Sequence, residues 1–259
     1  MSFTYDTDIG DPFVIIKSGK RKRGTKINFI PVGREDEQTE NDFDKLSLKN
    51  KEEEFQVVPN TNRERSIGYI TGQSGSGKTT WVINYCEQYL KAFPDNEIYL
   101  FTSIPHEGEK DPYNKIDAKR IIITEELQEL NPIDFEDSLV IFDDMDCYKD
   151  KKVLKVIERL RDGFLEIGRR YRTYVLITYH LPTNFGDTRR MINEASFVVY
   201  FPMFSNEKVK NLLKNYMGLS DNMIRYIKRS KSRWCCITRT MPNAIVLQKE
   251  IRLAELEDE

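Results

Sequence analysis

The chain has 259 residues, 32% of them charged and 39% hydrophobic, with a formal net charge of −2 at pH 7. That balance describes a soluble globular protein with room for one large domain, or one domain and a small addition. No apolar run approaches the roughly 18–20 residues of a membrane span, and the polar residues 1–10 do not read as a signal peptide. The four cysteines, Cys86, Cys147, Cys235 and Cys236, lack metal-ligand spacing along the chain. Adjacent Cys235 and Cys236 would point to opposite faces of a strand, so a reduced intracellular compartment is expected.

In chain order, residues 13–17 and 26–32 predict the two strands of a hairpin around a basic tip, residues 18–24. Residues 33–54 are charged and poor in apolar side chains, which reads as a linker or mobile arm. From about Asn60 strands and helices alternate. Strands are expected at 66–71, 97–102, 120–124, 138–143, 173–179 and 196–201, and helices at 78–93, 150–170, 206–217 and 220–229. Two of the strands, Leu139-Val140-Ile141-Phe142 and Tyr174-Val175-Leu176-Ile177, are the unbroken apolar runs of buried parallel strands. A β pair, 232–238 and 243–248, closes the chain through a turn at Met241-Pro242-Asn243. The expected fold is α/β: a mostly parallel sheet flanked by helices, with a small N-terminal β-hairpin and a C-terminal β pair. Residues 1–59 form the hairpin and charged linker, and residues 60–259 the main domain.

Charge is unevenly placed. Six of the ten residues from Lys17 to Lys26 are basic, and Lys/Arg also dominate 151–190 and 203–240. Acid gathers in 35–54 and in the tail. Segregated basic tracts fit a polyanion partner, although any one tract could be a solvated face.

Residues Gly72-Gln73-Ser74-Gly75-Ser76-Gly77-Lys78-Thr79-Thr80 spell a complete G-x-x-x-x-G-K-T phosphate loop. An apolar run (67–71) precedes it. An amphipathic helical pattern (Val82, Tyr85, Cys86, Tyr89, Leu90, Phe93) follows, stopped by Pro94. Strand, glycine loop and helix in that order are the context the motif requires. Backbone N–H groups and the helix N-terminus receive the phosphates. Lys78, with its ammonium expected to face solvent in the free loop, reaches the β- and γ-phosphates, and Thr79 holds Mg²⁺. The chain is therefore expected to bind a nucleoside triphosphate.

Leu139-Val140-Ile141-Phe142 runs into Asp143-Asp144. A carboxylate at the end of a core strand beside the phosphate loop is where Mg²⁺ needs its second protein contact, which assigns Asp143 to the metal. Asp144 is assigned to the general base. The next apolar strand ends at His180, the place where additional-strand P-loop ATPases carry a polar sensor of the γ-phosphate. Arg169, in Gly168-Arg169-Arg170-Tyr171-Arg172, is the first candidate for an arginine finger acting across a subunit interface, with Arg189 and Arg190 the second. Asn114-Lys115-Ile116-Asp117 matches the guanine-reading N-K-x-D of GTPases. It precedes the acid strand instead of following it, and no D-x-x-G occurs, so guanine specificity is rejected.

The order GQSGSGKTT, LVIFDD, EIGRRYRTYVLITYHLPTN and TRRMINEASFVVYFP resembles the genome-packaging ATPases of large eukaryotic DNA viruses and their virophages, within the FtsK–HerA superfamily. The similarity covers about residues 62–203, and Arg169 stands eleven residues before His180, as in the superfamily. Where His180 stands the superfamily commonly has Gln, and many relatives have Glu where Asp144 stands. The resemblance implies an Mg²⁺-dependent ATPase that assembles as a homo-oligomeric ring, pentamer or hexamer. Such a ring drives double-stranded DNA, without sequence preference, into a preformed capsid through a capsid vertex protein, in the host-cell cytoplasm. Two rivals share the phosphate loop: a nucleoside or small-molecule kinase, and a nucleotide-dependent capsid assembly factor that does not translocate DNA.

Overall fold

The computed structural model describes residues 1–18, 21–103, 105–124, 127, 129–180, 185–204, 207–240 and 243–254, with the backbone alone at 21–23, 185–188, 204 and 207. The chain forms two compact units, one of Met1–Asn62 plus the chain from Phe197 on, the other of Arg63–Ser196.

The first unit begins with β1 (Ser2–Thr4), β2 (Asp11–Ser18), β3 (Arg21–Ile30), β4 (Lys45–Ser47) and β5 (Glu53–Val57). Four of these make an antiparallel sheet in the order β1-β3-β2-β5. The expected hairpin is β2–β3, and its tip residues Gly19 and Lys20 lie outside the described residues. Phe3, Phe13, Val14, Ile27, Phe29 and Phe55 are buried on the sheet, with the Phe3, Phe13 and Phe29 rings 5.4–5.7 Å apart. Gly10 has φ +68°, and a Cβ there would meet Phe29 O at 2.8 Å, so glycine is required.

The expected linker at 33–54 is corrected. It carries a 3₁₀ turn (Glu35–Glu37), all of β4 and the start of β5. Arg34 is anchored by a 2.6 Å bond to the buried Asp11 carboxylate, which also accepts from Asn60 and Asn62. A three-residue strand with one inward apolar side chain, Leu46, leaves no period to read.

The second unit contains β6 (Ile67–Thr71), α1 (Lys78–Ala92), β7 (Glu97–Thr102), β8 (Ala118–Ile122), β9 (Ser138–Phe142), α2 (Lys151–Ile167), β10 (Tyr174–Tyr179) and α3 (Phe185–Glu194). Its sheet is parallel throughout, in the order β6-β10-β9-β7-β8. β6, β9 and β10 are buried along their whole length, as continuous apolar strands covered on both faces must be. Helix α1 buries Trp81, Val82, Tyr85, Cys86 and Tyr89. Helix α2 starts at Asp150, whose carboxylate accepts from the N–H groups of Lys152 and Val153. It ends at Gly168, where Arg65 donates to the last-turn carbonyls of Phe164 and Leu165 at 2.7 and 2.8 Å. Helix α3 is an element the sequence reading lacks.

The first unit resumes with β11 (Phe197–Tyr200), α4 (Glu207–Asn211) leading into a π turn (Leu212–Tyr216), α5 (Asp221–Arg229), β12 (Cys235–Thr238), β13 (Ala244–Leu247) and β14 (Glu250–Leu253). These strands and β4 pair antiparallel in the order β4-β14-β13-β12-β11. The expected C-terminal pair is β12–β13, extended by β14, and its turn residues Met241 and Pro242 lie outside the described residues. The α/β class holds. The grouping of residues differs from the expected 1–59 and 60–259, because Ser47 pairs with Glu250 and Phe55 N–H donates to Gln248 O at 2.9 Å. Both chain ends thereby fall into one unit.

Candidate nucleotide-hydrolysis site

The phosphate loop connects β6 to α1. Its first N–H, Gly72, donates to Tyr179 O at 3.1 Å, and Ser76 N–H donates to Gln73 O at 3.1 Å. Gly75 and Gly77 have φ of +76° and +105°, conformations that turn successive N–H groups inward and that side chains rarely adopt. Two hydroxyls at the loop, Thr71 Oγ1 and Ser76 Oγ, are buried without a hydrogen-bond partner among the described residues. Thr79 is half-buried in the first turn of α1, while Gln73, Ser74, Gly75 and Thr80 are exposed.

Lys78 departs from the expected solvent-facing position. It is 6% exposed, its Nζ donates to Gly72 O at 2.9 Å, and Asp144 Oδ1 lies 3.5 Å away. The ammonium folds over the loop because the Gly72 carbonyl and the Asp144 carboxylate both attract it.

Asp143 and Asp144 sit at the tip of β9. The Asp143 N–H continues the ladder to Phe101 O at 2.9 Å, and its carboxylate is buried. Thr178 of β10 joins the pair: its Oγ1 lies 2.9 Å from Asp143 Oδ1 and 3.3 Å from Asp144 Oδ1, and it accepts from Asp144 N–H at 2.7 Å. Asp144 has φ +48°, which turns the chain sharply after the strand. Burial, and then the neighbouring Asp144 charge, push the Asp143 carboxyl above its ordinary pKa, against the opposing pull of Thr178, Tyr113 and Lys78. Tyr113 is buried against this carboxylate, and burial followed by the Asp143 charge raise its phenol well above the usual value.

His180 follows β10 directly. Its N–H donates to the Asp146 carboxylate at 3.0 Å, and its Nδ1 lies 3.5 Å from Asp144 Oδ1. Lys78, Asp144 and His180 thus meet at the C-terminal ends of β6, β9 and β10, which are adjacent in the sheet. The residues after His180, Leu181 to Asn184, lie outside the described residues.

Arg169 is elsewhere. It lies in a 3₁₀ turn (Gly168–Tyr171) after α2, highly exposed and ion-paired with Glu64. Helix α2 has 17 residues, a length of about 25 Å, and carries the chain from the acid loop to the opposite edge of the sheet. Arg169 therefore cannot serve its own chain's phosphate loop. Arg190 pairs with Asp162 at 2.5 Å, and Asp162 also holds the buried Arg161 guanidinium at 2.8 Å; Arg189 is exposed. Asn114 is bonded within its own loop, to His106 at 2.8 Å and to Gly108 O at 2.7 Å. Thr178 and Tyr113 are absent from the sequence reading, and Asp146 has no functional role in it. Only Thr178, a polar residue inside an apolar strand, left a signal there.

No protein-family model matches the chain. It is 35% identical over 207 residues to the uncharacterized protein V3 of Sputnik virophage, covering 78% of this chain and 82% of V3. The chain belongs to the V3 family of virophage proteins. Among solved structures, it is similar to the genome-packaging NTPase B204 of Sulfolobus turreted icosahedral virus 2 in complex with ATP-γ-S. That match has a TM-score of 0.50 and 13% identity, over 72% of this chain and 97% of that one. The DNA-packaging ATPase B204 of Sulfolobus turreted icosahedral virus is similar at a TM-score of 0.51 and 15% identity, over 73% and 98%. These likenesses establish the fold.

Proposed function

We propose that this V3-family protein is an ATP-hydrolysing motor that drives double-stranded DNA into a preformed capsid. The observation that carries the reading is the convergence of Lys78, Asp144 and His180, with 3.5 Å from Asp144 Oδ1 to each partner, beside a glycine loop where the buried Thr71 and Ser76 hydroxyls have no partner among the described residues. That donor set fits a nucleoside triphosphate with Mg²⁺. The inward-turned N–H groups of the loop that make no bond within it, together with Lys78, would hold the phosphates, and Thr79 and Asp143 would hold the metal. Mg²⁺ neutralises charge on the β- and γ-phosphates.

Asp144, half-buried and next to Lys78, is placed to accept a proton from water, and His180 is placed to report on the γ-phosphate. Arg169, remote from its own loop, suits a neighbouring subunit's site in a homo-oligomeric ring. Translocation without sequence preference needs only contacts to phosphate. Arg225, Lys228, Arg229, Lys231 and Arg233 are all exposed and offer such contacts; the hairpin tip is the alternative. A capsid vertex protein would anchor the ring during virion assembly in the host cytoplasm. ATP turnover measured with and without duplex DNA, alongside the mass of the assembly, tests the whole reading. Turnover that ignores DNA, or a protein that remains monomeric with ATP and DNA, would overturn the motor.

A further inference from the structure

Two groups beside the hydrolytic residues have no part in that reaction, Asp146 and Cys147. Both lie in the 3₁₀ turn Met145–Cys147 after the acid strand, and both face the ring of His180. Cys147 Sγ is 3.4 Å from His180 Nδ1, Asp146 Oδ1 is 3.4 Å from it, and Asp144 Oδ1 is 3.5 Å from it. One donor atom each from Asp144, Cys147 and His180 fits within 4.8 Å of the others.

Tetrahedral Zn²⁺ binds sulfur at about 2.3 Å and nitrogen or oxygen at about 2.0–2.2 Å, which sets its ligand atoms about 3.4–3.6 Å apart. The three separations from His180 Nδ1 already have that length. The donor chemistry discriminates as well. Mg²⁺ takes oxygen ligands in an octahedron, so a thiol and an imidazole add nothing for it, whereas Zn²⁺ favours both. Access agrees, since Cys147 is exposed while Cys86, Cys235 and Cys236 are buried. Spacing along the chain hides the cluster because its donors come from two separate strand ends.

We propose that Asp144, Cys147 and His180 form a Zn²⁺ site whose fourth position is left to a solvent ligand, and that its occupation arrests hydrolysis. A bound ion takes the Asp144 carboxylate from the water and from Lys78, and takes the His180 ring from the γ-phosphate. The arrest rests on the hydrolytic reading above; the binding does not.

Co²⁺ serves as the spectroscopic probe. Titrated into the nucleotide-free protein, it should bind at one equivalent with a sulfur-to-cobalt charge-transfer band and the intense visible bands of four-coordination, all removed by Zn²⁺. Cys147→Ser, a change at an exposed position, should abolish the charge-transfer band. It should also weaken binding by more than the roughly tenfold that loss of an outer-shell partner costs. A parent protein without that band, or equal affinity in the variant, overturns the site. In the turnover assay, Zn²⁺ in slight excess over protein should inhibit the parent but not Cys147→Ser, whose basal rate stays unchanged; equal inhibition of both overturns the arrest. If neither protein hydrolyses ATP, the hydrolytic reading fails and the arrest with it, while the cobalt titration still decides the binding site.

Discussion

Thr178 donates its hydroxyl to the Asp143 carboxylate at 2.9 Å, so a side chain of β10 fixes the acid at the tip of β9. The same oxygen receives the N–H of Asp144, and both acids are thereby oriented by one residue. Thr178→Val keeps the shape and removes the hydroxyl, leaving buried polar groups unpaired. It should lower kcat by about 10–100-fold, the scale of a lost positioning contact, with a much smaller change in KM. Thr178→Ser should restore most of the rate. Steady-state kinetics on the two variants checks this; equal kcat in Thr178→Val and parent would remove the positioning role.

Lys78→Ala and Asp144→Asn should separate binding from chemistry. The first removes the cation that now spans Gly72 O and Asp144, and should abolish nucleotide binding. The second should retain Mg·ATP binding and lose about 10²–10⁴-fold in turnover, the contribution of a general base. Fluorescent-nucleotide titration with single-turnover hydrolysis distinguishes them. Binding lost in Asp144→Asn, with hydrolysis intact in Asp143→Asn, would reverse the roles of the two acids.

Asp143 should make the nucleotide-free fold less stable near neutral pH. Its folded-state pKa is raised, chiefly by burial and then by Asp144, so the folded chain binds this proton more tightly than the unfolded chain. The penalty is complete above the folded pKa and fades as pH falls through it toward the ordinary carboxylate value. Without nucleotide or Mg²⁺, Asp143→Asn should therefore have the higher Tm at pH 7, an advantage that shrinks in acid. Thermal melts across pH measure it. A lower Tm at every pH would show that the Thr178 contact outweighs burial.

Arg169→Ala should be rescued in trans. Mixed with Lys78→Ala subunits, some intact phosphate loops acquire an intact neighbouring arginine, and mixed rings should outperform either pure variant. No recovery despite co-assembly would shift the finger to Arg189 or Arg190.

Duplex binding should weaken linearly in log salt, with about −0.9 in slope for each phosphate neutralised. Replacing Arg225, Lys228, Arg229, Lys231 and Arg233 with Ser should flatten that slope. The same change at Lys20, Arg21, Lys22 and Arg23 should leave it unaltered. An unaltered slope in the first variant and a flattened one in the second would place the DNA path at the hairpin.

The parallel sheet was legible because its central strands are continuous apolar runs that end in chemistry: Thr71 into the glycine loop, Phe142 into Asp143, Tyr179 into His180. Each run fixes a strand, and each ending fixes which edge of the sheet carries function. β4 was not legible, since this short antiparallel strand draws its stability from a partner some 200 positions away, and no local period records that pairing (Ser47 with Glu250). Thr178 escaped notice for a related reason. Its role depends on the register of β10 against β9, which aligns Ile177 with Phe142 and so sets the next residue beside the acids.

The unit built from both chain ends imposes an order on biosynthesis. Every strand of the phosphate-binding sheet, from β6 to β10, leaves the ribosome before the first residue of β11. Strands β4 and β5 emerge early, yet β4 must wait for β14 to be translated, and β5 for the Gln248 carbonyl that Phe55 will bond. Until then the nascent chain carries unsatisfied strand edges, the kind of surface that invites pairing with another chain. Lys45, Lys49 and Lys51, flanking and within the early strand, put charge on that waiting edge. A message truncated just after Ser196 would yield all the nucleotide-binding residues named above on a chain whose other unit could never close.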